Sequence, residues 1–405
     1  MGSKIFKTDK IIGFLPGNKF YIHRFDIISV YLKIVIAILR YIFNLDFIKK
    51  TLYYKVNLHI EENMQKKYIF CFLIVYFISN LFAQIDSQEE NIYAEKIFYV
   101  FEDSKNLYQI ASMDLNGDNK QILTKEGNNW CPSVSPKGDL IAFFSDRTGN
   151  INLWIMEPDG TSQRQLTFDE NSKNKIDLYN RGQISWLKDG DYILFLFNGD
   201  IWQIDIYGNN PFSLTSTNDV TMFKLSPDKT KILYSREKTK NHNGLWVMLV
   251  DGTNQLQIEK SLIKYPAFDW VTNDKIIFFN NTSIYMALHN GTDRKIVLQT
   301  KYLFNEISWS KPESADGYVA FISDEKEGPN IWISDASGKN QKQITQNTGF
   351  SPVWYKDGIT LFFIEKNDLY KFNINTQAKK RLTYHFQSYY PVIAELKTKK
   401  IKQGK

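Results

Sequence analysis

The chain has 405 residues, 43% of them hydrophobic and 23% charged, with two cysteines, which excludes a disordered chain and a disulfide scaffold. The formal charge of +6 is concentrated upstream of Gln84 and the rest is close to neutral. A nucleic-acid partner, which would need a basic face, is not expected.

Residues 1–63 are read as an upstream extension outside the mature protein. They include the basic, apolar stretch FDIISVYLKIVIAILRYIFNLDF at 25–47, interrupted by Lys33 and Arg40. From Met64 the sequence MQKKYIFCFLIVYFISNLFAQ brings two lysines, an unbroken apolar run from Tyr68 to Ile78 and a small residue at Ala83. That is the layout of a signal peptide over 64–83, cleaved before Gln84. The run is shorter than the ~20 residues of a spanning helix, so no stable membrane span is expected in the mature chain. Ile69 and Phe70 ahead of Cys71 do not make a lipobox. The mature protein is expected in the periplasm or secreted, with Cys131 as its one cysteine and hence no intramolecular disulfide or cysteine-based metal site.

After a short linker at 84–95, one unit is written repeatedly. In SDRTGNINLWIMEPDGTSQRQLT (145–167), Gly160 follows Trp154 by six residues, and Leu166-Thr167 begins six residues after Gly160. The same spacing joins Trp202, Gly208 and Leu214-Thr215; Trp246, Gly252 and Ile258; Tyr285, Gly291 and Val297; Trp332, Gly338 and Ile344-Thr345; and Tyr370, Thr376 and Leu382-Thr383. The first copy keeps Gly117 and Leu123-Thr124, with Ile110-Ala111 holding the register.

Earlier in each unit stands an apolar strand, as in LIAFFS (140–145), YILFLF (192–197), KIIFF (275–279) and YVAFIS (318–323). Before that comes a bulky residue four positions ahead of a Pro/Asp/Gly turn: Val134, Trp186, Leu225, Trp270, Trp309 or Trp354. Four strands at intervals of roughly 40 to 50 residues make the chain all-β, a β-propeller over 96–396. Its aromatic residues are assigned to packing between blades, and Leu-Thr to the end of each outer strand. The first unit, opening at KIFYVF (96–101), lacks an inner strand, and YYPVIAEL (389–396) is a strand without a blade. Pairing of these two ends gives seven blades, with six as the alternative, and leaves 397–405 as a basic tail.

SPKGDLIAFFSDRTGNINLWIMEPDGTSQRQLT (135–167) resembles the PD40, or WD40-like, repeat of TolB-type propellers, and the resemblance degrades around Tyr285, where the turn reads VTND. It implies an exported, non-catalytic module of the cell envelope that binds an envelope protein or lipoprotein. TolB propellers are described as six-bladed and follow an α/β domain, for which 84–95 leaves no room.

Catalytic motifs are lacking. There is no G-x-S-x-G elbow, and nine residues follow Leu396, too few for the hydrolase domain of a propeller-gated peptidase. No Walker loop, G-x-G-x-x-G or H-E-x-x-H occurs. DLNGDN (114–119) starts like a calcium loop, but Asn119 and Lys125 stand where Gly and Glu are required, so it reads as a hairpin. His242, His289 and His385 lie in different units and give no metal site. No cofactor, metal or catalytic residue is therefore assigned. The alternative is an exported polysaccharide-active enzyme resembling uronate lyases that use such a propeller.

Binding is assigned to the loops from each outer strand to the next inner one, which crowd one channel mouth. Their candidate residues are Trp130, Tyr179, Arg181, Lys264, Tyr302, Phe350, Tyr384, His385 and Tyr389, each open to an equal reading as an ordinary strand-start or loop residue. The protein is read as a monomer.

Overall fold

The computed structural model describes residues 92–168, 184–237, 244–260, 267–280, 283–299, 303–310, 316–323, 328–346, 348–384 and 388–398. The leader, the upstream extension, Tyr179, Arg181, Lys264, Tyr302, His242 and His385 lie outside them. Among the described residues no helix is long and apolar enough to cross a membrane.

Seven four-stranded antiparallel sheets follow one another as blades. Blade 1 contains β1 (Ile92–Glu102), β2 (Tyr108–Asp114) and β3 (Gln121–Ile122); blade 2 contains β4 (Asn129–Val134), β5 (Ile141–Ser145), β6 (Asn152–Met156) and β7 (Arg164–Gln165). Blade 3 runs β8 (Ile184–Trp186), β9 (Tyr192–Phe197), β10 (Asp200–Asp205) and β11 (Phe212–Ser213). Blade 4 runs β12 (Val220–Leu225), β13 (Lys231–Arg236), β14 (Gly244–Leu249) and β15 (Leu256–Glu259). Blade 5 has β16 (Phe268–Trp270), β17 (Lys275–Asn280), β18 (Ser283–Leu288) and β19 (Lys295–Gln299). Blade 6 has β20 (Leu303–Trp309), β21 (Tyr318–Ser323), β22 (Asn330–Asp335) and β23 (Lys342–Gln343); blade 7 has β24 (Gly349–Trp354), β25 (Thr360–Glu365), β26 (Asp368–Asn373) and β27 (Lys379–Arg381). The inner strand of blade 1 is β28 (Ser388–Thr398), paired antiparallel with β1. Seven blades close through the chain ends, as the repeats predict. The closing pair is longer than the repeat pattern suggests, since β1 begins at Ile92 and β28 runs to Thr398.

The apolar second strands explain why blades stack. Successive side chains of a strand point to opposite faces, and a strand buried on both reads as an unbroken apolar run. In β5, Ile141 and Phe143 pack toward blade 1 while Ala142 and Phe144 pack toward blade 3. In β9 and β17 the alternation repeats, Ile193 and Phe195 against Leu194 and Leu196, and Ile276 and Phe278 against Ile277 and Phe279. Each of the seven blade junctions thus has its own hydrophobic cluster, including the junction of blade 7 with blade 1.

The aromatic residues have the expected role, with a direction. Trp154, Trp202, Trp246, Tyr285, Trp332 and Tyr370 each pack on the junction with the preceding blade. So do the inner-strand residues Trp186, Trp270, Trp309 and Trp354. Three of the latter also donate a hydrogen bond from the indole N–H to an inner-strand carbonyl one blade back: Trp186 to Ser133 at 2.9 Å, Trp270 to Lys224 at 3.0 Å and Trp354 to Ser308 at 3.1 Å. The inner strand is a sheet edge, whose unpaired carbonyls need such partners when buried.

The repeat glycine serves the same junctions. A Cβ on Gly160, at φ +87°, would stand 2.8 Å from the Leu123 carbonyl oxygen of the blade before. Gly117 approaches Leu382 across the closing junction in the same way. The six-residue spacing therefore reports a turn of one blade seated on the outer strand of another.

Leu-Thr departs from its expected place. β7 ends at Gln165, before Leu166-Thr167, and β3, β11 and β23 likewise stop one residue ahead of the motif. The reason is the threonine hydroxyl. It accepts the third-strand N–H of Ile110, Leu153, Ile201, Ile331 or Leu369 in the five copies that have Leu/Ile-Thr, at 2.9–3.0 Å. A side chain replaces the next ladder bond, and the strand ends.

At the seam, Glu95 and Glu395 are directly opposed in the β1–β28 register, a like-charge pair. Lys356 of blade 7 bridges both, 2.6 Å from Glu95, and the Tyr355 hydroxyl donates to Glu95. The Lys356 ammonium, followed by the Tyr355 hydroxyl, holds the Glu95 carboxyl below its ordinary range. A depressed carboxyl stabilises the fold above its unfolded pKa and loses that contribution as pH falls through the folded value.

Two outcomes are expected. Lys356→Met lowers the melting temperature at pH 7, and the deficit closes as the pH drops below ~4 and is reduced at pH 7 by adding Glu395→Gln; thermal melts against pH check this. Trp186→Phe, which strands the Ser133 carbonyl with little loss of apolar volume, costs about 1–3 kcal/mol in denaturant unfolding.

Candidate binding surface at the channel mouth

The outer-to-inner loops sit on the same end as the turns between the second and third strands. Backbone bonds join the two sets: Asp146 N–H to Asn128 O, Val220 N–H to Gly199 O and Lys366 N–H to Thr348 O. Each described loop is held from beneath. The staple threonines donate onward to the first residues of third strands, Thr167 to Asn152, Thr215 to Asp200, Thr345 to Asn330 and Thr383 to Asp368. Asp200 also accepts the backbone N–H groups of Thr217 and Asn218.

Under the blade 1–2 loop lies a polar network. Thr124 donates to Gln109, Asn129 donates to Gln109, and Arg147 donates to Asn129 at 2.7 Å and to Gln163 at 2.5 Å. The Arg147 guanidinium also covers Trp154, 4.6 Å from the ring centroid, and burial holds its pKa below the ordinary value. Under the blade 3–4 loop, Asp219 and Arg236 form a buried two-point ion pair at 2.9 and 3.0 Å. These charges are consumed in fixing loops.

The described channel wall is likewise engaged. Lys224 pairs with Asp269 at 3.1 Å, Asp269 accepts the Trp309 N–H at 3.0 Å, and Glu306 accepts the Ser351 N–H at 2.8 Å. Among the described residues no three His, Cys, Asp or Glu side chains group as a metal site. His289 lies in the β18–β19 turn beside Asp274, 3.6 Å from its carboxylate. In DLNGDN, the Asp114 carboxylate is taken by Lys96 and Asn119, the bonding of a hairpin turn. Burial pushes the Cys131 thiol up to about 12, which keeps it from acting as a thiolate near neutral pH.

Of the nine loop candidates, four are described, and they divide. Trp130 is 7% exposed inside the blade 2–3 cluster. Phe350 is half-buried on the blade 6–7 cluster, and Tyr389 on the blade 1–2 cluster. Tyr108 packs against the clusters of both Trp130 and Tyr389 and meets Tyr389 edge-on at 5.8 Å, so these rings form the foundation of the mouth. Tyr384 is different: it is 55% exposed, with the Arg381 guanidinium 4.7 Å from its ring centroid.

Sequence reasoning missed Phe168, which is 76% exposed. It occupies the same repeat position as Tyr384, immediately after Leu-Thr, and aligning the residues after that motif would have found it. The staple fixes the threonine backbone, so the next side chain is delivered to the loop surface.

Fold and surface together define a seven-bladed β-propeller with a stapled, loop-bearing mouth. Residues 94–272 match the PD40 family, the TolB beta propeller domain, and the chain carries TolB-like PD40 repeats. The match ends in the VTND turn of blade 5, where the repeat pattern weakens. Over 62 residues the chain is 39% identical to an uncharacterized protein of Agrobacterium fabrum, covering 15% of this chain and 21% of that protein's length. Two solved structures share the architecture at low identity. TolB from Acinetobacter baumannii is 16% identical with a TM-score of 0.43, over 62% of this chain and 64% of that one. An oligogalacturonate lyase in complex with manganese is 13% identical with a TM-score of 0.49, over 74% and 87%.

Trp130→Ala is expected to cost about 3–5 kcal/mol in denaturant unfolding. Tyr384→Ser should stay within about 0.5 kcal/mol of wild type.

Proposed function

We propose that the protein is an exported, non-catalytic binding module of the cell envelope that captures a protein or lipoprotein partner on its stapled mouth. The observation that carries this reading is the presentation of Phe168 and Tyr384 to solvent from one repeat position in two copies, on loops whose bases are fixed by the Thr167 and Thr383 staples. Aromatic side chains on a preorganised base lose little entropy on binding and supply much of an interface's energy when desolvated. The engaged state of Lys224, Asp269 and Glu306 supports a wall-building role for the channel charges rather than proton transfer. Export is the reading of the signal-peptide layout at 64–83.

The test is cross-linking of the full chain in intact cells, with partners identified by mass spectrometry. Phe168→Ser combined with Tyr384→Ser should cut partner recovery by roughly tenfold or more while the melting temperature stays near wild type. Unchanged recovery overturns the mouth as the binding surface. Bound metal together with turnover of uronate oligosaccharides by the purified protein would make it an enzyme instead.

A further inference from the structure

The outer rim of the ring is not uniform. In five blades the outer strand has two or three residues and the threonine staple follows it. Blades 4 and 5 lack that threonine, with Glu259 and Leu298 after Ile258 and Val297. Their ladders continue through Leu245↔Glu259 and Ser283↔Gln299, so β15 has four residues and β19 five. Loss of the staple lengthens the exposed edge.

These longer edges are also apolar. Leu256 is 44% exposed and Ile296 53%, and Phe212 of neighbouring blade 3 is 46% exposed. By contrast, the outer strands of blades 2, 6 and 7 carry Arg164, Lys342, and Lys379 with Lys380. Short strands and lysines are the usual protection of a sheet edge against pairing, and blades 4 and 5 combine length with apolar side chains.

We propose that this stretch of rim is a homodimer interface in which β19 pairs antiparallel with β19 of a second copy, flanked by β15. Charge argues for a second copy. Glu259 is neutralised by Arg294 at 2.6 Å and Lys295 lies 3.4 Å from Asp293, so the patch brings no unpaired like charges together, whereas the lysine-bearing rims of blades 6 and 7 would repel their own kind. The sequence is self-complementary about Val297: Ile296 meets Leu298 of the second copy, and Lys295 meets Gln299. The pairing extends blade 5 into an eight-stranded sheet across the dimer and replaces the monomer expected from sequence. It is independent of the mouth.

Sedimentation of the full chain between ~1 and ~100 µM tests it, with hydrogen exchange of the Lys295–Gln299 amides at both limits. The wild type should dimerise as concentration rises, with those amides gaining protection. Ile296→Lys should weaken dimerisation roughly tenfold or more, and Leu256→Lys with Ile296→Lys should give a monomer with wild-type circular dichroism and melting temperature, since both side chains are exposed. The Phe168→Ser, Tyr384→Ser protein should dimerise like wild type, which keeps the two surfaces separable. A wild type that stays monomeric, a dimer indifferent to both lysine variants, or β19 amides insensitive to concentration would each overturn the proposal.

Discussion

A four-stranded antiparallel sheet with two apolar faces cannot satisfy itself, and everything else in this protein depends on that constraint. One face needs the preceding blade and the other the following blade, so a linear stack ends in two exposed faces and a ring in none. Phe143 and Phe144, adjacent in β5, belong to different junctions and leave no face of blade 2 free. The inner edges raise a second demand, for hydrogen bonds. Indole N–H groups reach back to the preceding blade's carbonyls, while Asp269 and Glu306 reach forward to the N–H groups of Trp309 and Ser351. Both demands are met between neighbours, which is why the ring is cooperative despite its repeats.

The same economy shapes the mouth. Threonine ends the outer strand, caps the third strand and anchors the loop that leaves the blade, so one hydroxyl links edge protection to presentation of the next residue. Where the threonine is absent the edge grows, and the chemistry of the rim changes with it. Packing, surface and loop geometry are therefore coupled through a single position of the repeat.

The fold was legible in the sequence because its determinants are periodic. Alternation in LIAFFS, the six-residue spacings and the orphan strands at the two ends each constrain the ring, and they agree. The surface was only partly legible. Trp130 and Tyr384 both fall in outer-to-inner loops, but Trp130 stands at the first inner-strand positions, where the side chain turns into a junction, and Tyr384 directly follows a staple, where it does not. Composition cannot separate two aromatics whose fates depend on one or two residues of register. Phe168 escaped notice for the converse reason, since it was counted with the repeat and not with the loop.

The seam couples the two ends of the propeller. β1 and β28 have eleven residues each, against seven or fewer in every other described strand. Closing nearly three hundred intervening residues costs on the order of 5 kcal/mol in chain entropy, and the long ladder with its Lys356 bridge offsets that cost. Consequently β1, among the first strands to emerge from a ribosome or a secretion channel, has no inner partner until almost the last residues arrive. A chain delivered N-terminus first stays unclosed, and hence threadable, for nearly the whole of its passage, and the ring locks only once its far end has crossed.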